Sequence, residues 1–291
     1  MVETLSENLR RHVYELAEGI GERNVFHPEA LHAAEAYIRH TWQQQGYRVE
    51  AQSYRVRNVL SSNLEVTRQC GEKGRGILLI GAHYDSVIGS PGANDNGSGI
   101  AVLLELSRLF RTVEPACHIR FAAFVNEEPP FFFSRSQGSM IYSRAARRRG
   151  DDIRLMVALE TMGYFSDTPG SQRYPPLFRY FFPSRGNFIA FVSNFRSRRK
   201  QQQLVAAFRS ATDFPAQQVA TFSLIPGVGW SDHLSFWRRG YRALMVTDTA
   251  FYRYPWYHSA GDTAEKIDYR RLALVTEGLF PALQRLAVSE R

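Results

Sequence analysis

The chain is poor in the residues that would mark a stapled, membrane-borne or exported protein. Cys70 and Cys117 are its two cysteines in 291 residues. That pair makes no disulfide framework, and a reducing compartment is the simpler expectation. No run of about 18 apolar residues occurs, so no membrane-spanning helix is expected. The opening MVETLSENLRRHVYELAEGIGERN has no apolar core of signal-peptide type, and a cytoplasmic setting is the reading. Lysine is scarce as well. Lys73, Lys200 and Lys266 are three of 36 basic residues, and the net charge of +8 is therefore carried by arginine. The clusters at 144–149 (RAARRR) and 196–200 (RSRRK) stand beside no zinc finger, RNP motif or GxxG loop. They read as solvated helix ends, and neither nucleic acid nor membrane is expected as a partner.

The chain does have alternating oily strands and helices. Residues 3–19 and 28–42 carry apolar side chains at helical spacing, the second run opening on proline. Residues 1–50 are thus expected to be N-terminal helices. From 47 the period turns to two in YRVEAQSYRV, and NLEVT at 63–67 is a further short strand. GILLIGAH (76–83), HIRFAAFVN (118–126), LMVALE (155–160), NFIAFVS (187–193) and RALMVTD (242–248) are near-continuous apolar strands, the kind buried on both faces. Helices are expected at 98–110, with Ser98 as its cap, at 136–148 and at 270–288. The aromatic, proline-containing stretch 165–186 reads as a long, lid-like loop. No repeat or linker divides the chain. The expectation is one α/β domain over 1–291, three layers deep, with a mixed, mostly parallel central sheet.

Ligands in such sheets sit beyond the carboxyl ends of the strands. Four strands here end in, or lead to, groups that bind metal or move protons: His83 and Asp85; Glu127 and Glu128; Glu160; and, after RALMVTD, His258. Asp95 adds a carboxylate from the glycine-rich loop GAHYDSVIGSPGANDNGSG. Each alone has a plain structural explanation as a turn or solvated residue. Together they form a set of two imidazoles and several carboxylates suited to zinc, and two such ions about 3.5–4 Å apart are a common hydrolytic arrangement.

Six stretches in order carry a resemblance: HYDS, PGANDNGSG, NEEPPFF, LETMGYFSD, SDHLSFW and WYHSAGDT. They resemble the M28 family of zinc aminopeptidases, most of all bacterial members with paired prolines after the second glutamate. The resemblance spans His83 to Asp268. It implies two zinc ions, with His83 on one, Glu128 on one of the pair, His258 on the second, Asp95 bridging both and Glu160 as the remaining ligand. Glu127 would be the general base for the attacking water, and Asp85 would orient His83. Glu160 stands where the best-known members carry aspartate, one methylene shorter. Asp232 and His233 would lie near the site, behind the ligands or against substrate. The resemblance also implies a cis peptide between Asp95 and Asn96. The function expected is removal of N-terminal residues from a peptide substrate with a free amine. A single-zinc aminoacyltransferase like the glutaminyl cyclases, or a binding protein that has lost catalysis, are the alternatives.

Overall fold

The computed structural model describes residues 2–71 and 76–288; Lys73 lies outside the described residues. A continuous eight-stranded sheet runs through it in the order β1-β2-β4-β3-β5-β8-β6-β7. The strands are β1 (Glu50–Val56), β2 (Val59–Arg68), β3 (Ile77–His83), β4 (His118–Phe124), β5 (Ile153–Glu160), β6 (Ile189–Ser193), β7 (Ala216–Ala220) and β8 (Ala243–Thr247). β4, β3, β5 and β8 run parallel in the middle, β1 and β2 are antiparallel to their neighbours, and β6 and β7 run parallel to each other but against β8.

The period-two pleat of β5 explains the three layers. Leu155, Val157 and Leu159 face one core, with α1 (Val2–Tyr14), α2 (Pro28–Gln44), α3 (Gly99–Phe110), α5 (Arg198–Arg209) and α7 (Tyr269–Val288). Met156 and Ala158 face the other, with Tyr142 and Ala146 of α4 (Gly138–Arg149) and Phe236 of α6 (His233–Trp237). A third apolar cluster, Phe188, Ala190, Val192 and Met245 with Val228, lies along β6 and β8, packed by Tyr174 and Ile225 and by Trp237 of α6. Among the described residues no helix is long and apolar enough to cross a membrane.

Local chemistry accounts for several boundaries. Pro28 opens α2, where its missing N–H costs nothing, and Leu31, Ala34, Ile38 and Trp42 form its buried stripe. α1 continues into a wide turn, Glu15–Ile20, that ends at Gly21 in a positive-φ conformation. The expected cap at Ser98 is not one. Ser98 has helical dihedrals, its hydroxyl donates to the Asn94 carbonyl at 2.7 Å and accepts from the Met162 N–H at 2.8 Å. The helix is preceded by a further wide turn, Ala93–Ser98, so the polar residues of the loop are already wound into the fold. β7 had no signal in the sequence. Its AQQVA has too little apolar content to read as a strand and survives as the sheet's edge.

Candidate metal centre

Parallel β3, β4 and β5 deliver their C-terminal ends side by side, because His83 pairs with Phe124 and Ala158 with Gly81 in register. His83 ends β3, Glu160 ends β5, and Glu127 and Glu128 follow β4. Asp95 comes from the turn before α3, and His258 from the loop after β8. All of these except His258 are buried. His258, whose side chain is 30% exposed, forms the open wall of the cluster.

The seven residues singled out from the sequence converge. His83 Nε2 is 3.3 Å from Asp95 Oδ1, 3.4 Å from Glu160 Oε2 and 3.9 Å from Glu127 Oε2. His258 Nε2 is 3.1 Å from Asp95 Oδ2 and 3.2 Å from Glu128 Oε2. Asp95 therefore turns one oxygen to each imidazole. Three trios have donor atoms mutually within 4.8 Å: His83–Asp95–Glu160, Asp95–Glu128–His258 and His83–Glu127–Glu128. His83 Nε2, Asp95 Oδ2, Glu127 Oε1 and Glu128 Oε1 are buried without a hydrogen-bond partner. Orphaned buried polar atoms are rare and call for a cause. Four on residues of one cluster, with nitrogen and oxygen donors, fit divalent zinc.

Asp85 holds the site from below. Its two carboxylate oxygens accept the backbone N–H groups of Glu127 and Glu128, each at 3.1 Å. His83 Nδ1 is 3.1 Å from the Asp85 backbone carbonyl and 3.6 Å from its carboxylate. The same residue thus faces the ring of His83 and fixes the two glutamates. Glu160 is reached by Ser231, whose hydroxyl donates to Oε2 at 2.7 Å.

Several residues that build this site were not singled out from the sequence. Asp262 accepts the backbone N–H groups of Asn94 (2.7 Å) and Asp95 (3.1 Å) and the Tyr254 hydroxyl (2.7 Å). Its signal was present in WYHSAGDT, but an aspartate before threonine reads as an ordinary turn residue. Asn96 clamps the other flank, donating to the Leu159 carbonyl and accepting from the Gly99 and Thr161 N–H groups. The Asp95–Asn96 peptide is cis, as the resemblance implied, and Pro129–Pro130 is cis as well. The SDH pair divides. Asp232 is buried next to Ser231 with both oxygens unpartnered, whereas His233 bonds the Val228 carbonyl through Nε2 at 2.8 Å and stands edge-on to Trp237.

The charges are those of a site built for cations. Burial pushes the Glu127 carboxyl well above its usual value, with Glu128, Glu160 and Asp232 adding to the rise against His83. Burial and then Asp95 raise Glu128 to about 8. Burial opposes charge on His258, yet Asp95 and Glu128 lift it to about 10. Metal-free, the cluster holds protons that a divalent ion would displace.

Beside Glu160 opens a largely apolar cavity. Register across the sheet aligns Glu160 with Thr247, and Thr247 with Ala190, so its floor starts at the cluster and runs toward the sheet edge. Phe188, Met245, Val228, Trp230, Phe251 and Tyr257 are among its walls. The 165–186 stretch contributes Tyr174, Pro175, Phe178 and Phe182. Tyr257 also stacks on His258, ring centroids 3.9 Å apart.

Comparison with known proteins bears on the family and the fold. A family model, peptidase family M28, matches residues 63–282. An uncharacterized protein, YfbL, of Escherichia coli is 36% identical over 286 residues, covering 95% of this chain and 87% of its own length. Aminopeptidase YwaD of Bacillus subtilis is 29% identical over 224 residues, 72% of this chain but 42% of that longer protein. Among solved structures, BSAP, a zinc aminopeptidase from Bacillus subtilis, superposes with a TM-score of 0.72 at 17% identity over 94% of both chains. Fimbriiglobus ruber glutaminyl cyclase superposes with a TM-score of 0.67 at 19% identity, covering 96% of this chain and 94% of its own. These two structural likenesses concern the fold.

Proposed function

The chain belongs to peptidase family M28, and on that premise we propose that it is a two-zinc aminopeptidase that removes bulky apolar N-terminal residues from peptides. The observation that carries the reading is the shared carboxylate. Asp95 stands 3.3 Å from His83 and 3.1 Å from His258, which makes two donor sets with one bridge. His83, Asp95 and Glu160 would hold one ion, and Asp95, Glu128 and His258 the other. Bound zinc supplies Lewis-acid polarisation of the scissile carbonyl and acidifies water at neutral pH.

The chain's own residues would do the rest. Glu127, buried and with Oε1 free, is placed to take the proton of the attacking water and return it to the departing amine. Asp85 keeps Glu127 and Glu128 aimed by receiving both their N–H groups. The substrate's free α-amine would meet the carboxylates of Glu128 and Glu160, which selects chain ends. Its first side chain would enter the cavity beside Glu160, whose aromatic and aliphatic walls favour leucine, phenylalanine or tryptophan over charged residues.

The glutaminyl cyclases share the fold. Retention of the complete His83–Asp95–Glu160 trio favours the two-ion peptidase. The test is metal analysis of the purified chain followed by a panel of aminoacyl anilides and a peptide with N-terminal glutamine. Two zinc ions and release of leucine or phenylalanine anilide are expected. One zinc with cyclisation of the glutamine peptide would replace this reading with the alternative.

A further inference from the structure

Arg23 lies upstream of the residues matched to the family, in the turn between α1 and α2, and it is completely buried. Among the described residues its guanidinium bonds backbone carbonyls and no carboxylate. Nε donates to the Tyr84 carbonyl at 2.7 Å and the second terminal nitrogen to Gly92 at 2.8 Å. The first terminal nitrogen is shared among the carbonyls of Leu16, Gly21 and Pro91. Three of these carbonyls belong to the two ends of one loop, Tyr84 at its start and Pro91 and Gly92 at its finish. That loop is what separates His83 from Asp95.

The backbone of Arg23 grips the same loop. Its N–H donates to Ser86 Oγ at 3.1 Å, and its carbonyl accepts the Ser86 N–H at 3.0 Å. Ser86 Oγ in turn donates to the Ser90 carbonyl at 2.9 Å, and Ser90 Oγ receives the Gly92 N–H at 3.1 Å. Gly92 has φ +63°, and a β-carbon there would stand 2.6 Å from the Asp95 carbonyl. The loop is thus drawn shut around a single planar fork, immediately before the turn that presents Asp95.

We infer that Arg23 is a positioning residue for the metal centre, closing the 84–92 loop so that His83 and Asp95 meet at one ion. This rests on the metal reading given above. Five donors in a rigid plane match carbonyls on both sides of the loop. A lysine ammonium keeps the charge but has three donors around one point, and cannot span them. Burial draws the guanidinium's pKa down to about 10, while Asp262, Asp85, Asp95 and Glu128 pull it up, so the cation persists at neutral pH within an acidic cluster. Leu16 and Tyr84, whose carbonyls the fork takes, are themselves core residues, so zinc affinity and melting temperature have to be read side by side to separate a positioning role from a structural one. Groups that orient metal ligands are typically worth 10–100-fold in affinity.

The experiment is a zinc competition titration on the metal-free full chain, wild type against Arg23→Lys and Arg23→Met, well below each melting temperature. Both variants are expected to fold, to bind zinc at least about 10-fold more weakly, and to lose kcat on an aminoacyl anilide with KM within about twofold. A merely structural arginine would lower the melting temperature and leave zinc affinity where it was. Arg23→Lys with wild-type zinc affinity would overturn the proposal, because charge alone would then suffice. If Arg23→Lys fails to fold, Ser86→Ala decides by the same criterion, weaker zinc binding supporting the proposal and unchanged binding overturning it. A wild type that takes up no zinc would instead overturn the metal reading itself.

Discussion

Ser231 donates its hydroxyl to Glu160 Oε2 over 2.7 Å, and that same oxygen stands 3.4 Å from His83 Nε2. The hydrogen bond holds a side chain one methylene longer than aspartate in a place where its oxygen still meets the imidazole. Glu160 stays in register with Thr247 at the end of β5.

Removing that donor should therefore loosen one ion more than the other. Ser231→Ala is expected to lower zinc affinity at the His83 side by about 10-fold and to reduce kcat similarly. Stepwise chelator titration reads the two affinities separately. Loss of both in equal measure would show that Ser231 does not act through Glu160.

Glu127→Gln tests the proton carrier. The amide preserves shape and the N–H to Asp85, so fold and zinc content should be unchanged while kcat falls by about 10²–10⁴-fold. Steady-state assay with metal analysis of the same sample checks it. Retention of most of the activity would remove Glu127 from that role.

The SDH and NEEPP stretches illustrate what a sequence can and cannot disclose. Strands β3, β4, β5 and β8 were readable because burial on both faces leaves an unbroken apolar run, and their polar terminal residues stood out against it. His83, Glu127, Glu128 and Glu160 could be placed at the carboxyl ends of neighbouring strands for that reason. Asp262 and Arg23 could not. Both act on backbone groups far away in the chain, and such partners leave no local pattern. His233 illustrates the converse, since a histidine beside a site motif turns its ring to the Val228 carbonyl and Trp237. The 165–186 stretch stood out in the sequence by its prolines and aromatics, but that Tyr174, Pro175, Phe178 and Phe182 line a cavity over β6 and β8 depends on contacts distant in the chain.

His233 gives a pH prediction. Burial lowers its pKa from 6.5 to about 4. The folded state keeps it neutral, while the unfolded chain takes up a proton below pH 6.5. Its contribution is therefore fully present above that value and is lost as pH falls toward about 4, by roughly 3 kcal/mol. Urea unfolding at pH 7.5 and 4.5 should show a steeper acid loss in the wild type than in His233→Gln. Equal losses would mean that His233 is not buried neutral.

Cavity shape predicts selectivity. Ala190 lies on the cavity floor, in register with Thr247. Ala190→Leu should lower kcat/KM for phenylalanine and leucine anilides by about 10-fold while changing alanine anilide little, because overpacking such a wall costs about 1–3 kcal/mol. A uniform fall across the panel would place the first side chain elsewhere.

The bridging carboxylate is the centre of the account, and zinc stoichiometry of wild type and Asp95→Asn, determined side by side on gel-filtered protein, tests it most directly. The account predicts two zinc ions per chain in the wild type and no more than one in the variant, with the fold retained. Two ions in Asp95→Asn, or none in the wild type, would contradict it.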